Sequence, residues 1–172
     1  MKEIDEPSFN AFTQKWDGHV DKMISDAHLK SGDTVIPIKA LWDTGASRTC
    51  ISLECVTKLN LVPIGRCTNM TASGPSEART YLVDVLLPNK VIVPEVMVTD
   101  ARIGTQGFDI LIGMDLISIG DFSVSNFEGK TTLSYRIPSK QVTDYVQEIN
   151  RENMKKLVGT HGPGKRKKKN KR

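Results

Sequence analysis

An apolar stretch, Ala40-Leu41-Trp42, runs without a spacer into Asp43-Thr44-Gly45-Ala46-Ser47, and a second apolar triplet, Ile110-Leu111-Ile112, runs as abruptly into Gly113. A carboxylate is costly to bury unless it is paired or hydrogen-bonded. An acid placed straight after a leucine and a tryptophan is therefore expected at the end of a strand, on a loop that holds it in place. Gly45 lets the backbone turn sharply and leaves space for a partner group to approach. Thr44 can anchor such a loop, because its hydroxyl both donates and accepts. Together these residue types suit a rigid loop that presents one carboxylate at a two-fold axis.

The surrounding pattern is mostly strand. Val20 to Lys30 and Thr34 to Trp42 read as two strands joined by the turn signal Ser31-Gly32-Asp33, with Pro37 pointing to an edge position or a bulge. Ser52 is a plausible N-cap for a short helix carrying Leu53, Val56 and Leu59, stopped by Asn60 and Pro63. Thr68 to Pro75 is polar, with Gly74 at the expected tip of a hairpin. Tyr81, Val83, Val85 and Leu87 alternate, Pro88-Asn89-Lys90 turns, and Val91 to Val98 continues as strand. Phe108 to Ile112 reads as a short buried strand, Gly113 to Ile119 as a second small helix, and residues 122–137 as a last hairpin.

The chain has 172 residues, which suits one domain plus tails. The boundaries expected are an N-terminal extension at 1–19, a β domain at 20–138, and a C-terminal helix with a disordered basic tail at 139–172. Val142, Tyr145, Val146, Ile149 and Leu157 give that last segment a helical apolar spacing over about 142–158. The net charge of +4 conceals two opposite parts: residues 1–150 carry 14 basic and 19 acidic side chains, net −5, and residues 151–172 carry 10 and 1, net +9. No apolar run approaches the roughly twenty residues that cross a membrane, and the acidic start of the chain does not resemble a secretory signal. Cys50, Cys55 and Cys67 lack metal-ligand spacing and suit free thiols in a reducing compartment, so the expected location is the cytoplasm.

Two carboxylates a few ångströms apart cannot both ionise, and they titrate with separated apparent pKa values. The ionised member can take a proton from water while the protonated member polarises a scissile carbonyl. With one Asp-Thr-Gly in the chain, this chemistry needs a second copy. On the run Ala40 to Ser47, the helix around Ser52 to Leu59, Thr71-Ala72-Ser73-Gly74 and Phe108 to Leu116 (FDILIGMDL), the chain resembles the retropepsin family of single-lobe aspartic peptidases over about residues 20–138.

The resemblance implies a mostly β, closed acid-protease barrel of one lobe, active as a homodimer on extended polypeptides, with no cofactor and no metal. It implies Asp43 as the catalytic residue from each subunit and Thr44 gripping its dimer mate. Gly45 would hydrogen-bond substrate backbone, with Ala46 completing the loop. Ser73 and Gly74 would sit in a flap over the peptide, and Ile112-Gly113 would brace the catalytic loop from behind. Leu41, Ile110 and Ile112 are expected to face the cleft and favour apolar residues beside the cut.

Departures from the family pattern stand out, and the N-terminal extension and basic C-terminal tail exceed its usual core, whose termini build the dimer sheet. Gly113-Met114-Asp115 occupies a place where viral members often carry a basic residue, so any stabilising pair there is built differently. Ala46 supplies no hydroxyl to the aspartates, which implies a working pH only mildly acidic. Other acids, Asp109 and Asp115, lack the Thr-Gly context and read as loop or helix-end residues. His19, His28 and His161 match no ligand spacing, and Cys50 reads as a structural thiol rather than a nucleophile. Self-cleavage near Phe9 to Phe12 is one expectation for the polar N-terminal stretch. The alternative to an enzyme is a catalytically silent module of the same fold that binds peptides or a partner. The tail Lys165 to Arg172 would at most hold an acidic partner or nucleic acid weakly and without sequence preference.

Overall fold

The computed structural model describes residues 10–71 and 74–159 and divides into two units, residues 1–140 and 141–172. The first unit is the β domain. Strand β2 (Ile24–Ser31) turns through Gly32-Asp33 into β3 (Thr34–Trp42), pairing from Ser31↔Thr34 to Ile24↔Leu41. Gly32 stands at φ +56°, a conformation that favours glycine and closes the two-residue turn. Pro37 falls in the half of β3 that has β2 alone as neighbour, because β8 (Ile110–Ile112) pairs only with Ala40 to Trp42.

Five further segments complete the barrel. They are β4 (Cys50–Ser52), helix α1 (Leu53–Lys58), β5 (Gly65–Thr71), β6 (Gly74–Leu86) and β7 (Ile92–Ala101). The strand order is β2-β3-β8-β4-β7-β6-β5, and an additional β2–β6 pairing joins the ends of the first six into a closed ring. The long β6 makes closure possible. Its first half pairs with β5 and its second half with β7, while Asp84 to Leu86 reaches β2. The inward set is Ala27, Leu29, Ile38, Ala40, Trp42, Tyr81, Val83, Val85, Val98, Ile110 and Ile112, each buried as strand alternation requires. Ser52 caps α1, its Oγ accepting from Cys55 N at 3.2 Å. Of the expected apolar stripe, Leu59 is buried and Val56 packs against the core, whereas Leu53 is 47% exposed and Cys55 is buried in its place.

Helix α2 (Met114–Ile117) follows β8 and leads into β9 (Asp121–Ser125) and β10 (Thr132–Ile137). The N-terminal stretch supplies the third strand of this small sheet: β1 (Asn10–Lys15) pairs with β10 from Asn10↔Ile137 to Lys15↔Thr132. Phe12 from β1, Phe122 from β9 and Tyr135 from β10 close around Trp42, with ring centroids 5.6, 5.8 and 4.9 Å away. Such aromatic pairs add about 0.5–1.5 kcal/mol each beyond burial. They fix the small sheet to the end of β3, directly behind Asp43. Phe12 is thus a packed residue of a paired strand.

The second unit holds α3 (Tyr145–Gly159), slightly displaced from the 142–158 expected. Asp144 starts it, its Oδ1 accepting Val146 N at 3.0 Å and Gln147 N at 3.1 Å. The basic tail from Lys165 to Arg172 lies outside the described residues, as do Ser73 and Phe9. Among the described residues no helix is long and apolar enough to cross a membrane.

Candidate active site

Asp43 is held at the end of β3 by the strand before it and the strand beside it. Trp42, 2% exposed, donates its Nε1–H to Ser25 Oγ at 3.0 Å and its backbone N–H to Met23 O at 3.0 Å. The next amide, Asp43 N, donates to Ile112 O of β8 at 3.0 Å. The loop then turns back on itself: Gly45 N donates to Asp43 Oδ1 at 2.8 Å, and Ala46 N donates to Asp43 O at 3.3 Å. It is tied down again where Met114 N donates to Ala46 O at 2.8 Å. A Cβ on Gly45 would stand 3.1 Å from Asp43 Oδ1, so a side chain there would push on the carboxylate.

A buried hydroxyl joins this loop to β8 and α2. Thr49 is fully buried. Its Oγ1 donates to Asp115 Oδ1 at 2.7 Å and accepts Gly113 N at 3.1 Å, while its N–H donates to Asp115 Oδ2 at 2.9 Å. Asp115 Oδ1 also accepts Leu116 N at 3.0 Å. The brace behind the Asp43 loop is therefore a carboxylate fed by three donors, with no cation in an ion pair to it among the described residues. Gly113 is required by proximity: a Cβ there would lie 2.6 to 2.9 Å from the Arg48 backbone. Thr49 carries no motif signature in the sequence and was legible only as one more polar residue after Ser47.

Asp43 and Ala46 are half-buried, and Thr44 and Gly45 are exposed. The Thr44 hydroxyl has no hydrogen-bond partner among the described residues. Because Asp115 is fully engaged with Thr49 and Leu116, it is not free to serve as a second carboxylate, and one copy offers a single available acid on this loop. Burial pushes the nearby Cys50 thiol up to about 11, against a hydrogen bond from Leu111, and the charges of Asp43 and Asp115 add to the rise. It is a neutral thiol at neutral pH. No group of three potential metal ligands occurs among the described residues.

The β5–β6 hairpin pairs up to Thr71↔Gly74, with Gly74 at φ +105°. Leu41 and its β8 partner Leu111 are half-buried on one face, whereas Ile110 and Ile112 are completely buried on the other, beside Ala40 and Trp42. The expectation that Ile110 and Ile112 face a cleft is thus corrected. A strand alternates, and the core claims the even-numbered positions here.

A closed barrel of one lobe carrying an Asp-Thr-Gly loop braced by Ile-Gly is the architecture of a retropepsin-like acid protease. The aspartyl protease family model matches residues 27–116, more than half of the chain, and the chain belongs to that family. Among solved structures, a retropepsin-like aspartic protease from Rickettsia conorii shares the fold at 17% identity and TM-score 0.51, over 76% of this chain and 97% of its own. Simian Foamy Virus (mac) protease aligns at 22% identity and TM-score 0.41, over 56% and 92%. Comparison with curated proteins yields no match.

Proposed function

We propose that the chain is an aspartic endopeptidase that works as a homodimer, with Asp43 from each copy flanking the attacking water. The observation that carries this reading is the Asp43 loop. It is fixed by hydrogen bonds from Gly45 and to Ile112, placed at the surface, and left with one available carboxylate per copy. A second copy related by two-fold symmetry supplies the other carboxylate. The pair then shares one proton. The ionised Asp43 accepts a proton from water as the oxygen attacks the scissile carbonyl, and its protonated mate donates a hydrogen bond to the carbonyl oxygen. Collapse of the tetrahedral intermediate delivers the proton to the leaving nitrogen.

The remaining roles are those that the family resemblance implies. Thr44, exposed and without a partner among the described residues, grips the mate across the axis, and Gly45 meets substrate backbone with Ala46 behind it. The β5–β6 hairpin closes over an extended peptide as a flap, to which the family resemblance assigns Ser73 and Gly74. Ile112 and Gly113 brace the loop through Asp43 N and Thr49. Leu41 and Leu111, half-buried on the open face of β3 and β8, favour apolar residues near the cut. The free thiols of Cys50, Cys55 and Cys67 suit the cytoplasm.

Cleavage of an unfolded protein by wild type and by Asp43→Asn, with and without pepstatin, tests the reading. It requires fragments from wild type only, suppressed by pepstatin. A dimer of wild-type chains that binds peptides and never cuts them would overturn it.

A further inference from the structure

An open groove of about 650 Å³ runs along the β5–β6 hairpin, lined by Arg66, Arg79, Arg102, Asn69, Glu77 and Asp100 among others. Arg66 and Arg79 are direct cross-strand partners. Like charges placed opposite each other destabilise a sheet, so this pairing needs a compensating anion. Among the described residues no ion pair supplies it, although Glu77 lines the same groove. Asp100 is already engaged, its Oδ1 accepting the backbone N–H of Arg79 at 2.8 Å and its Oδ2 accepting the Tyr81 hydroxyl at 3.3 Å. No carboxylate among the described residues forms an ion pair with Arg66, Arg79 or Arg102. Arg136, by contrast, is clamped on Asp121 through two nitrogens. Three unpaired guanidiniums against two acids in one open groove form a site for a carboxylate, which guanidinium binds in a planar, two-pronged fashion.

We infer that this groove binds an acidic side chain of the polypeptide substrate, remote from the cleaved bond; the inference rests on the peptidase reading above. Its reach follows from the sheet. Order β3-β8-β4-β7 puts three strand steps between the Asp43 strand and Asp100. The registers Ala40↔Ile110, Ile51↔Ile110 and Ile51↔Asp100 set Asp100, at the near edge of the groove, three residues back from Asp43 along the strands. At about 4.8 Å per strand step and 3.3 Å per residue, the path along the curved sheet is about 17 Å, or about five residues of extended chain. The occupant is a Glu or Asp about five positions from the scissile bond, a selectivity that the apolar residues beside the cut do not supply.

The test uses full-length protein and matched peptides with an apolar pair at the centre, carrying Glu or Gln five positions to either side. Wild type is expected to favour a Glu peptide by about tenfold in kcat/KM at low salt, with the preference shrinking as ionic strength rises. In the double variant Arg66→Gln/Arg79→Gln the Glu-to-Gln ratio falls to near one. Its melting temperature does not fall, because a like-charge pair is removed. Arg151→Gln, on α3, keeps the wild-type ratio. Fluorescence anisotropy with the inert Asp43→Asn protein reads the same preference as binding. It therefore decides the inference even if the double variant fails to fold or if wild type cuts neither peptide, in which case the peptidase reading alone falls. Equal handling of Glu and Gln peptides by wild type and by Asp43→Asn overturns the inference. So does a preference that survives in the folded double variant. An oligonucleotide that displaces the Glu peptide at lower concentration than free Glu peptide does would assign the groove to nucleic acid instead.

Discussion

Replacing Thr49 by valine keeps the shape of a fully buried side chain and removes one oxygen, so its cost isolates the brace behind Asp43. Two contacts are lost. The hydroxyl no longer donates to the Asp115 carboxylate at 2.7 Å, and Gly113 N, which donates to that hydroxyl at 3.1 Å, is left unpaired in the interior. A hydrogen bond to a charged group contributes about 1.5–3 kcal/mol and an orphaned buried donor costs about 1–3 kcal/mol. Because Asp115 keeps the Thr49 and Leu116 amides, the lower ends apply, and a loss of about 2.5 kcal/mol is expected. For a domain of this size that is a fall of about 10 °C in Tm. Thermal and urea unfolding of wild type, Thr49→Val and Thr49→Ser measure it. The serine variant retains the oxygen and loses one methyl, about 1 kcal/mol. Because Gly113 and Met114 hold the Asp43 loop, the valine variant should also lose kcat more than it raises KM. A valine variant as stable as the serine one would refute the role given to Thr49.

Three further outcomes are expected. Gly113→Ala forces a Cβ to within 2.6 Å of the Arg48 backbone, and should cost at least about 3 kcal/mol or abolish folding, read as soluble yield and urea midpoint; normal stability would contradict the close approach. The Cys50 thiol is raised from 9.0 to about 11, so the unfolded chain loses this proton first as pH rises. Stability is then unaffected below about pH 9 and falls between about 9 and 11 by up to 2–3 kcal/mol. Urea unfolding of Cys50→Ala should show a shallower decline over that window, and an identical slope would contradict the burial. Ala46 gives the aspartate pair no hydroxyl, so the pH–rate profile should peak under mildly acidic conditions; a maximum below about pH 3, near the lower pepsin-like value, would count against it.

Much of the barrel was legible because its signals are local. Gly32-Asp33 marks a tight turn, Ser52 caps a helix, and Tyr81, Val83 and Val85 alternate into the core. The Asp43 loop was legible because an acid after Leu41-Trp42 has no inexpensive structural explanation. What escaped depends on distant partners. The pairing of β1 with β10 joins residues more than a hundred positions apart, and nothing around Phe12 marks it as a neighbour of Trp42. Three apolar residues at 110–112 do not say which face is inward, and only their registers with β3 and β4 set Ile110 and Ile112 in the core. Thr49 looks like any polar loop residue until Asp115 and Gly113 are brought to it. The opposition of Arg66 and Arg79 likewise emerges only from hairpin register.

Specific activity followed over a dilution series, with sedimentation run at the same concentrations, tests most directly whether Asp43 works only beside its symmetry mate. Activity per chain is expected to fall in step with dimer content as concentration drops below the dimer dissociation constant. Undiminished specific activity where sedimentation finds monomers alone would contradict it.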